Sequence, residues 1–357
     1  MAEKNLDKLR QEIDALDDNI LELLNQRAAV AQQVGKVKAA HDQTFYVPSR
    51  ERAIYERLSA NNPGPFPNDA VRKVFREIIS ASLSLEEPLK VAFLGPKATF
   101  THVAAMRQFG LSAQLVPQKG ITQVFEEVAR GRAEFGVVPV ENSNEGIVSH
   151  TLDMFMESEL KINAEILLEI SQDLLTQSGS LEGIERICSH PQALGQCRHW
   201  LEENLPDLPL VDVASTALAA QMASEDPTVA AVASEAAGNM YGLQVAKSKI
   251  EDHPNNFTRF LVIGRTMPKS SGKDKTSIMF SVKDEPGILY RMLQPFSSRQ
   301  INLSKIESRP MKRKAWEYIF FLDMEGHVEG ETISAALEDL KQYCQFIKVL
   351  GSFPSGR

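Results

Sequence analysis

Leu6, Leu9, Ile13, Leu16, Ile20 and Leu23 follow one another in steps of three and four, and the rhythm resumes at Val30, Val34 and Val37. That spacing draws one apolar stripe down an α-helix, and it gives a strand no usable face. Sustained over several turns, it is a heptad seam, the mark of a helix packed against others along its length. A helix over residues 6–37 would be roughly 48 Å long. Two shorter helices follow, one from about Ser49 to Leu58 and one from near Asn68, and together they are too short to cover it. A partner chain is therefore expected. A polar loop at 41–48 and the breaker run Asn61-Asn62-Pro63-Gly64-Pro65 separate the three helices. In the third, Val71, Val74, Phe75, Ile78, Ile79 and Ser82 keep a 3.6-residue stripe that Glu86 extends, and Glu87-Pro88 ends it.

From Lys90 the texture changes. Short β-like runs (VAFL, AQLVP, FGVVPV, KINAEILLEIS, ERICS, LVDV, VAAVA and NFTRFLVIG) alternate with helical segments, which predicts an α/β part with largely parallel sheets. The polar stretch PKSSGKDK at 268–275 suits a linker to a separate domain. Beyond it the pattern reads strand 276–282, helix 286–299, strands 301–308 and 315–323, helix 331–343 and strand 346–350. This βαββαβ order is the ferredoxin-like plan. The fold expected is thus multidomain: an all-α part over 1–88, an α/β part over 90–266 and an α+β part over 276–352.

Bulk properties narrow the partners. A net charge of -8 disfavours nucleic acid or an acidic membrane surface, so any anion site should be a local pocket. No apolar run approaches a membrane span, and the charged start MAEKNLDKLRQE has no signal core, which predicts a cytoplasmic protein. Cys188, Cys197 and Cys344 are odd in number, widely spaced and without metal-type pairings, so neither a disulfide framework nor a metal site is expected. Neither GxxxxGK[ST] nor GxGxxG occurs, and no cofactor is expected.

Charges interrupt the helical seam. Arg27 takes the slot between Leu23 and Val30, with Arg10 and Lys38 flanking the same groove. Arg27 could simply fix coiled-coil register, and Arg50-Glu51 could be ordinary helix surface. The ordered segments LDKLRQEIDALDDNILELLNQRAAVAQQVGKVK, SRER and SASLSLEE, however, resemble the small helical chorismate mutases over residues 1 to about 88. The resemblance implies a swapped homodimer, with room for higher association, and a site made of Arg10, Arg27, Lys38, Arg50, Glu51, Ser82 and Glu86. Chorismate carries two carboxylates and rearranges by a pericyclic shift, so clamping and electrostatics must supply the catalysis. Arg10 and Arg27 suit the carboxylates, Lys38 and a protonated Glu86 the ether oxygen, and Glu51 the hydroxyl.

Several strands of the α/β part run into polar helix starts: GPKATF at 95–100, ENSNEG at 141–146, SHPQ at 189–192, AST at 214–216 and ASE at 233–235. One such junction is ordinarily an N-cap, whereas five in an alternating fold point to a crevice for a small carboxylate. Ser189-His190 is read as a capped helix start rather than a hydrolase pair. GPKATF, VPVENSNEGIV, SHPQALGQC, DVASTALAA, ASEAAGNMYGL and NFTRF, in this order, resemble prephenate dehydratase over 90–265, with Ala98 where glycine is common. The family implies two lobes arranged like a periplasmic binding protein. Prephenate would lie between them, near Thr99, Glu141, Asn142, Ser143, Ser189, Gln192, Gln196, Ser215, Thr216, Thr258 and Arg259. Aromatisation drives the loss of carboxylate and hydroxide, so the enzyme mainly assists departure of hydroxide. Thr258, helped by Arg259 or an oriented water, is the candidate donor, and Glu141 competes with it.

PGILY at 286–290 and NLSKIESRP at 302–310 resemble the two signature segments of the ACT domain that follows prephenate dehydratases. The resemblance implies a phenylalanine effector held between paired domains by Gly287, Ile288, Leu289, Asn302, Glu307, Ser308, Arg309 and Pro310. Rival readings are a non-catalytic amino-acid-binding protein, a dehydratase whose helical part only dimerises, and a preference for arogenate. The first leaves the cationic groove unexplained, and assays of mutase turnover and of both substrates separate the others.

Overall fold

The computed structural model describes residues 2–40, 48–85, 88–283, 285–310 and 318–356. They fall into two compact units, residues 1–89 with 109–114, and residues 90–108 with 115–357.

The first unit holds α1 (Ala2–Ala40), α2 (Pro48–Ala60) and α3 (Asn68–Ser84). Helix α3 carries Val71, Phe75, Ile78, Ile79 and Ser82 on its covered side, whereas Val74 is exposed, one position off that row. Along α1 the heptad seam faces solvent: Leu16, Ile20 and Leu23 are 61%, 55% and 63% exposed. The loop at 109–114 is pinned to α3, because the Leu111 amide donates to the Glu77 carboxylate (2.9 Å) and the Ser112 amide to Ser80 Oγ (3.2 Å). Gly110 makes that approach possible: its φ is 75°, and a Cβ there would strike the Ser80 side chain.

The second unit begins with β1 (Lys90–Leu94), α4 (Phe100–Phe109), β2 (Gln114–Gln118), α5 (Ile121–Ala129), β3 (Phe135–Asn142), β4 (Gly146–Ile147), α6 (Ser149–Glu157) and β5 (Lys161–Glu169). In α5 the buried Ile121, Val124, Phe125 and Val128 form one stripe at helical spacing against the sheet. The chain then builds a second lobe from β6 (Asp173–Thr176), β7 (Arg186–Ser189), α7 (Pro191–Gln196), α8 (Arg198–Asn204), β8 (Leu210–Asp212), α9 (Thr216–Glu225), β9 (Val229–Ala233), α10 (Glu235–Tyr241) and β10 (Gln244–Lys247). Strand β11 (Phe257–Gly264) returns to the first lobe, where the order is β2-β1-β3-β11-β5; the second lobe reads β10-β6-β9-β7-β8. Central β9, VAAVA, is buried at every residue, as a strand covered on both faces must be.

The sheets are mixed rather than largely parallel. β1–β3, β7–β8 and β7–β9 are parallel, but β11 runs antiparallel to both β3 and β5, and β6 to both β9 and β10. β6 and β11, the first strand after each passage between lobes, run against both of their neighbours.

The remaining elements are β12 (Asp274–Val282), α11 (Ile288–Ser297), β13 (Leu303–Pro310), β14 (Tyr318–Glu325), α12 (Glu331–Lys341) and β15 (Cys344–Pro354), in a sheet of order β13-β14-β12-β15. One face packs on the two helices through Ile278, Phe280, Leu322 and Leu337. The other carries Met279, Ile319, Phe321 and Phe353 into one core with Val140, Phe155, Ile162 and Leu261 of the first lobe. The expected independent domain thus shares a core with its neighbour. The expected linker also ends early: Asp274 and Lys275 are buried, and Asp274 accepts from Ser270 Oγ (2.8 Å) and the Ser271 amide (2.9 Å).

Candidate functional sites

In the helical unit, Arg27 and Ser82 meet from positions 55 apart in the chain, Arg27 Nη1 donating to Ser82 Oγ at 2.6 Å. Ser82 Oγ in turn donates a hydrogen bond to the Ile78 carbonyl (2.7 Å), and burial pulls the Arg27 pKa down. Glu51 is buried and accepts from Tyr55 Oη; burial, then the Glu51 charge, pushes the Tyr55 phenol up, so it stays a donor. Tyr55 was not among the sequence-derived candidates, although its place one turn after Glu51 could have marked it. Lys38 is half-buried and Arg50 exposed. Arg10 is 66% exposed and pairs with its neighbour Asp7 on the same helix (3.4 Å). Glu86 lies outside the described residues.

In the second unit a hydrogen-bonded chain crosses from lobe to lobe. Asn142, at the end of β3, uses Nδ2 to donate to Asn256 Oδ1 (2.7 Å) and to Thr258 Oγ (2.9 Å). An amide nitrogen only donates, so Thr258 is the acceptor in that bond and its own proton is directed elsewhere. Asn256 Nδ2 donates to Gln196 Oε1 (3.3 Å) in the second lobe, and Gln172 Nε2 reaches the same oxygen (3.3 Å). Gln196 Nε2 in turn donates to Glu145 Oε1 (2.9 Å), while Gln192 Nε2 donates to Glu145 Oε2. Asn256, Gln172 and Glu145 escaped the sequence reading; Glu145 and Asn256 lie inside motifs whose other members were singled out.

Other expected ligand groups are engaged in structure. Ser189 is fully buried, and its hydroxyl donates to the Val232 carbonyl. Ser215 Oγ accepts the Leu218 amide (3.0 Å) as the cap of α9, with Thr216 beside it, and His190 Nδ1 accepts the Gln192 amide (3.3 Å) as the cap of α7. ENSNEG is a turn between β3 and β4 rather than a helix start: Asn142 Oδ1 accepts the amides of Asn144 (3.0 Å) and Glu145 (3.1 Å), and Ser143 Oγ that of Phe257 (2.9 Å). Thr99 Oγ donates to the Pro96 carbonyl (3.0 Å). Ala98 before it has φ 67°, the left-handed region that glycine enters freely, and its amide donates to Nδ1 of buried His102 (3.1 Å).

Glu141 and Arg259 are not beside the Thr258 hydroxyl. Successive strand residues point to opposite faces, and the pairs Thr258–Asn142 and Arg259–Glu141 sit side by side in the β11–β3 register. Arg259 bonds to Glu165 (2.8 Å) and Asp323 (2.6 Å), and Lys305 Nζ bonds to Glu141 (2.6 Å). Lys275 completes the cluster on Glu165 at 2.7 Å. These groups line a cavity of about 270 Å³ between the first lobe and the β12–β15 sheet. Burial opposes charge on Arg259, but Asp323 and Glu165 outweigh it and raise its pKa. Burial likewise opposes charge on Glu165, and Arg259 and Lys275 overcome it, lowering its pKa.

The expected effector residues are also divided. Gly287 precedes α11 with φ 77°, and Ile288 is half-buried while Leu289 is exposed. On β13, Lys305, Glu307 and Arg309 alternate with exposed Ser304, Ile306, Ser308 and Pro310. Arg309 turns toward Asp153 of α6 (3.7 Å), the lobe-facing side, and Asn302 Nδ2 donates to Glu325 (2.8 Å). Ser308 is paired with Phe320 in the register, on the side of the helices. Gly287 and Ser308 therefore share one side of the sheet and Glu307 and Arg309 the other.

Comparison with known proteins matches three family models: chorismate mutase type II over 9–87, prephenate dehydratase over 91–268 and the ACT domain over 276–342. The crystal structure of prephenate dehydratase from Arthrobacter aurescens in complex with L-Phe superimposes with a TM-score of 0.69 at 36% identity, covering 75% of this chain and 90% of that one. The bifunctional chorismate mutase/prephenate dehydratase of Pseudomonas aeruginosa is 44% identical over 361 residues, 99% of either chain. That of Aquifex aeolicus (strain VF5) is 52% identical over 355 residues. With that identity extending over 98% of both sequences, the protein belongs to the bifunctional chorismate mutase/prephenate dehydratase family.

Proposed function

We propose that the helical unit converts chorismate to prephenate, that the cleft between the two lobes converts prephenate to phenylpyruvate with loss of carbon dioxide and water, and that phenylalanine bound at the ACT sheet restrains the second step. In the helical unit Arg27 takes a substrate carboxylate and Tyr55 holds Glu51 in place for the ring hydroxyl. Arg10, exposed on a helix whose apolar seam is also exposed, serves the site of a partner chain, and the functional form is a homodimer. Lys38 and Glu86 complete the pocket at the ether oxygen. A cytoplasmic location accords with the free thiols of Cys188, Cys197 and Cys344, and no helix among the described residues is long and apolar enough to cross a membrane.

In the cleft, Thr258 donates to the departing ring oxygen. The carbon–oxygen bond breaks toward that oxygen as the carboxylate leaves as carbon dioxide, and the released electron pair completes the aromatic ring. Gln192, Gln196, Ser215 and Thr216 hold the substrate's carboxylates from the second lobe. Arg259 and Glu141 act from behind the sheet and do not touch substrate.

The observation that carries this reading is the bond from Asn142 to the Thr258 oxygen, which leaves the threonine proton for the substrate. The test supplies chorismate and follows prephenate and phenylpyruvate separately, with and without phenylalanine. Thr258→Val should accumulate prephenate, its dehydration falling at least about a hundredfold, while mutase turnover persists. Phenylpyruvate formed at the wild-type rate would remove Thr258 from the reaction.

A further inference from the structure

We propose that Glu145 is an internal occupant of the site that receives a substrate carboxylate, and that it holds the cleft closed until the substrate displaces it. The proposal rests on the reading of this cleft as the dehydratase site. Each oxygen of the Glu145 carboxylate accepts from a different glutamine amide of the second lobe, Gln192 and Gln196. A carboxylate on two converging donors is what an anionic ligand would present to that pair, and here the first lobe supplies it from its own chain.

The surroundings fix the donors and leave the acceptor free to go. Gln196 is held through Oε1, which accepts from both Asn256 and Gln172 (each 3.3 Å), so its Nε2 stays aimed into the cleft. Glu145 is exposed, on a turn whose next residue is Gly146 at φ 82° with open space around its α-carbon. The turn backbone is anchored on both sides, by Asn142 Oδ1, which accepts the amides of residues 144 and 145, and by the β3–β4 pairing of Asn142 with Gly146, so only the exposed Glu145 side chain has to move. Rotation of the side chain away from the glutamines therefore costs no packed core.

Electrostatics supply the exchange. Prephenate arrives with two negative charges, and a third carboxylate on the same amides repels it. Substrate seats by taking the two amides over, and that breaks the Glu145 link between the lobes while Asn256 keeps Gln196 aimed into the cleft. Binding energy is then spent on displacing Glu145, which raises KM without touching the reacting atoms. Glu145 acts on occupancy of the cleft rather than on the chemistry.

The full-length protein tests this with prephenate as the varied substrate. Glu145→Ala should lower KM by about tenfold, the loss of one charge-assisted competitor, without a fall in kcat. Glu145→Gln, which keeps shape and removes charge, should lower KM in the same direction and serves if the alanine variant folds poorly. A KM that is unchanged or raised, or a kcat that falls, overturns the proposal and makes Glu145 a residue that orients the two glutamines. Gln192→Leu/Gln196→Leu checks the underlying site separately. It should raise KM, and adding Glu145→Ala to it should then produce no further change. If the glutamine pair can be removed with no effect on KM, the carboxylate site itself is elsewhere, whatever Glu145 does.

Discussion

Thr258 and Arg259 adjoin in one short motif, and as sequence they invite a joint role. The strand separates them: the hydroxyl joins Asn142 in the cleft, and the guanidinium joins Glu165 and Asp323 behind it. Residue chemistry was legible in the chain, because a cation within an apolar seam or a threonine among amides is conspicuous. Facing was legible only once the strand's register was fixed, which depends on contacts more than a hundred positions away. The Arg27–Ser82 bond needed no such knowledge, since helical spacing alone places Arg27 in the seam of α1 and Ser82 on the covered stripe of α3. Glu165 shows what the hidden face contributes. Its side chain is 1% exposed between Arg259 and Lys275, so Glu165→Gln leaves two buried cations short of a counter-charge and should cost about 3 kcal/mol near neutral pH. The folded-state pKa lies below the usual 4.5, so the unfolded chain binds more protons between the two values. The stabilisation is therefore complete above the usual value and is lost as pH falls through the folded one. Urea midpoints of wild type and variant should converge on acidification; a constant gap down to pH ~3 would remove this ion pair from the pH dependence.

Elements were legible in proportion to their apolar pattern. VAAVA at 229–233 reads as a buried strand and is one, and KINAEILLEIS contains the whole of β5. The missed strands are the short ones: β4, β6 and β10 run for two, four and four residues, and β10 is largely exposed. ENSNEG was misread for a different reason, since asparagine and serine side chains satisfy backbone amides equally in turns and at helix starts. The end of the linker was missed because Lys275 and Asp274 look solvated as residues, and only their partners bury them. Strand β15 makes a testable use of glycine. A Cβ on Gly351 would overlap the carbonyl oxygen of Ile162 and come within 2.8 Å of its amide nitrogen, both backbone atoms of β5 that have nowhere to yield. Gly351→Ala should therefore push the ACT sheet off the first lobe at a cost of about 1–3 kcal/mol. Limited proteolysis should find faster cleavage in 268–273, and an unchanged cleavage rate would mean that the contact is slack.

At the scale of the molecule, the two units differ in how far a single chain can satisfy them. The second unit closes on itself, with a core that runs from α5 and α6 through the first sheet into β12, β14 and β15. Arg259 and Asp323 join that sheet to the strand carrying Thr258 at 2.6 Å, so the proposed restraint by phenylalanine would need no flexible relay. The first unit does not close. Leu9, Ile13, Leu16, Ile20 and Leu23 are all about half exposed or more, and Arg10 on the same helix is 66% exposed. A stripe of that size in water is unfavourable, at roughly 25 cal/mol for each Å² of apolar surface, and the homodimer proposed above would cover it with a second copy of the helix. If Arg10 of one chain then serves the site that Arg27 of the other builds, the two defects complement. Arg10→Ala and Arg27→Ala should each be nearly inactive as a mutase. Unfolded together and refolded as a mixture, half of the dimers would be mixed, and half of the sites in those would carry both arginines. Mutase activity should return to about a quarter of wild type. Pure dimers of either variant cannot produce that recovery, and neither can a site built within one chain, so a mixture as inactive as its components would confine each mutase site to a single protomer.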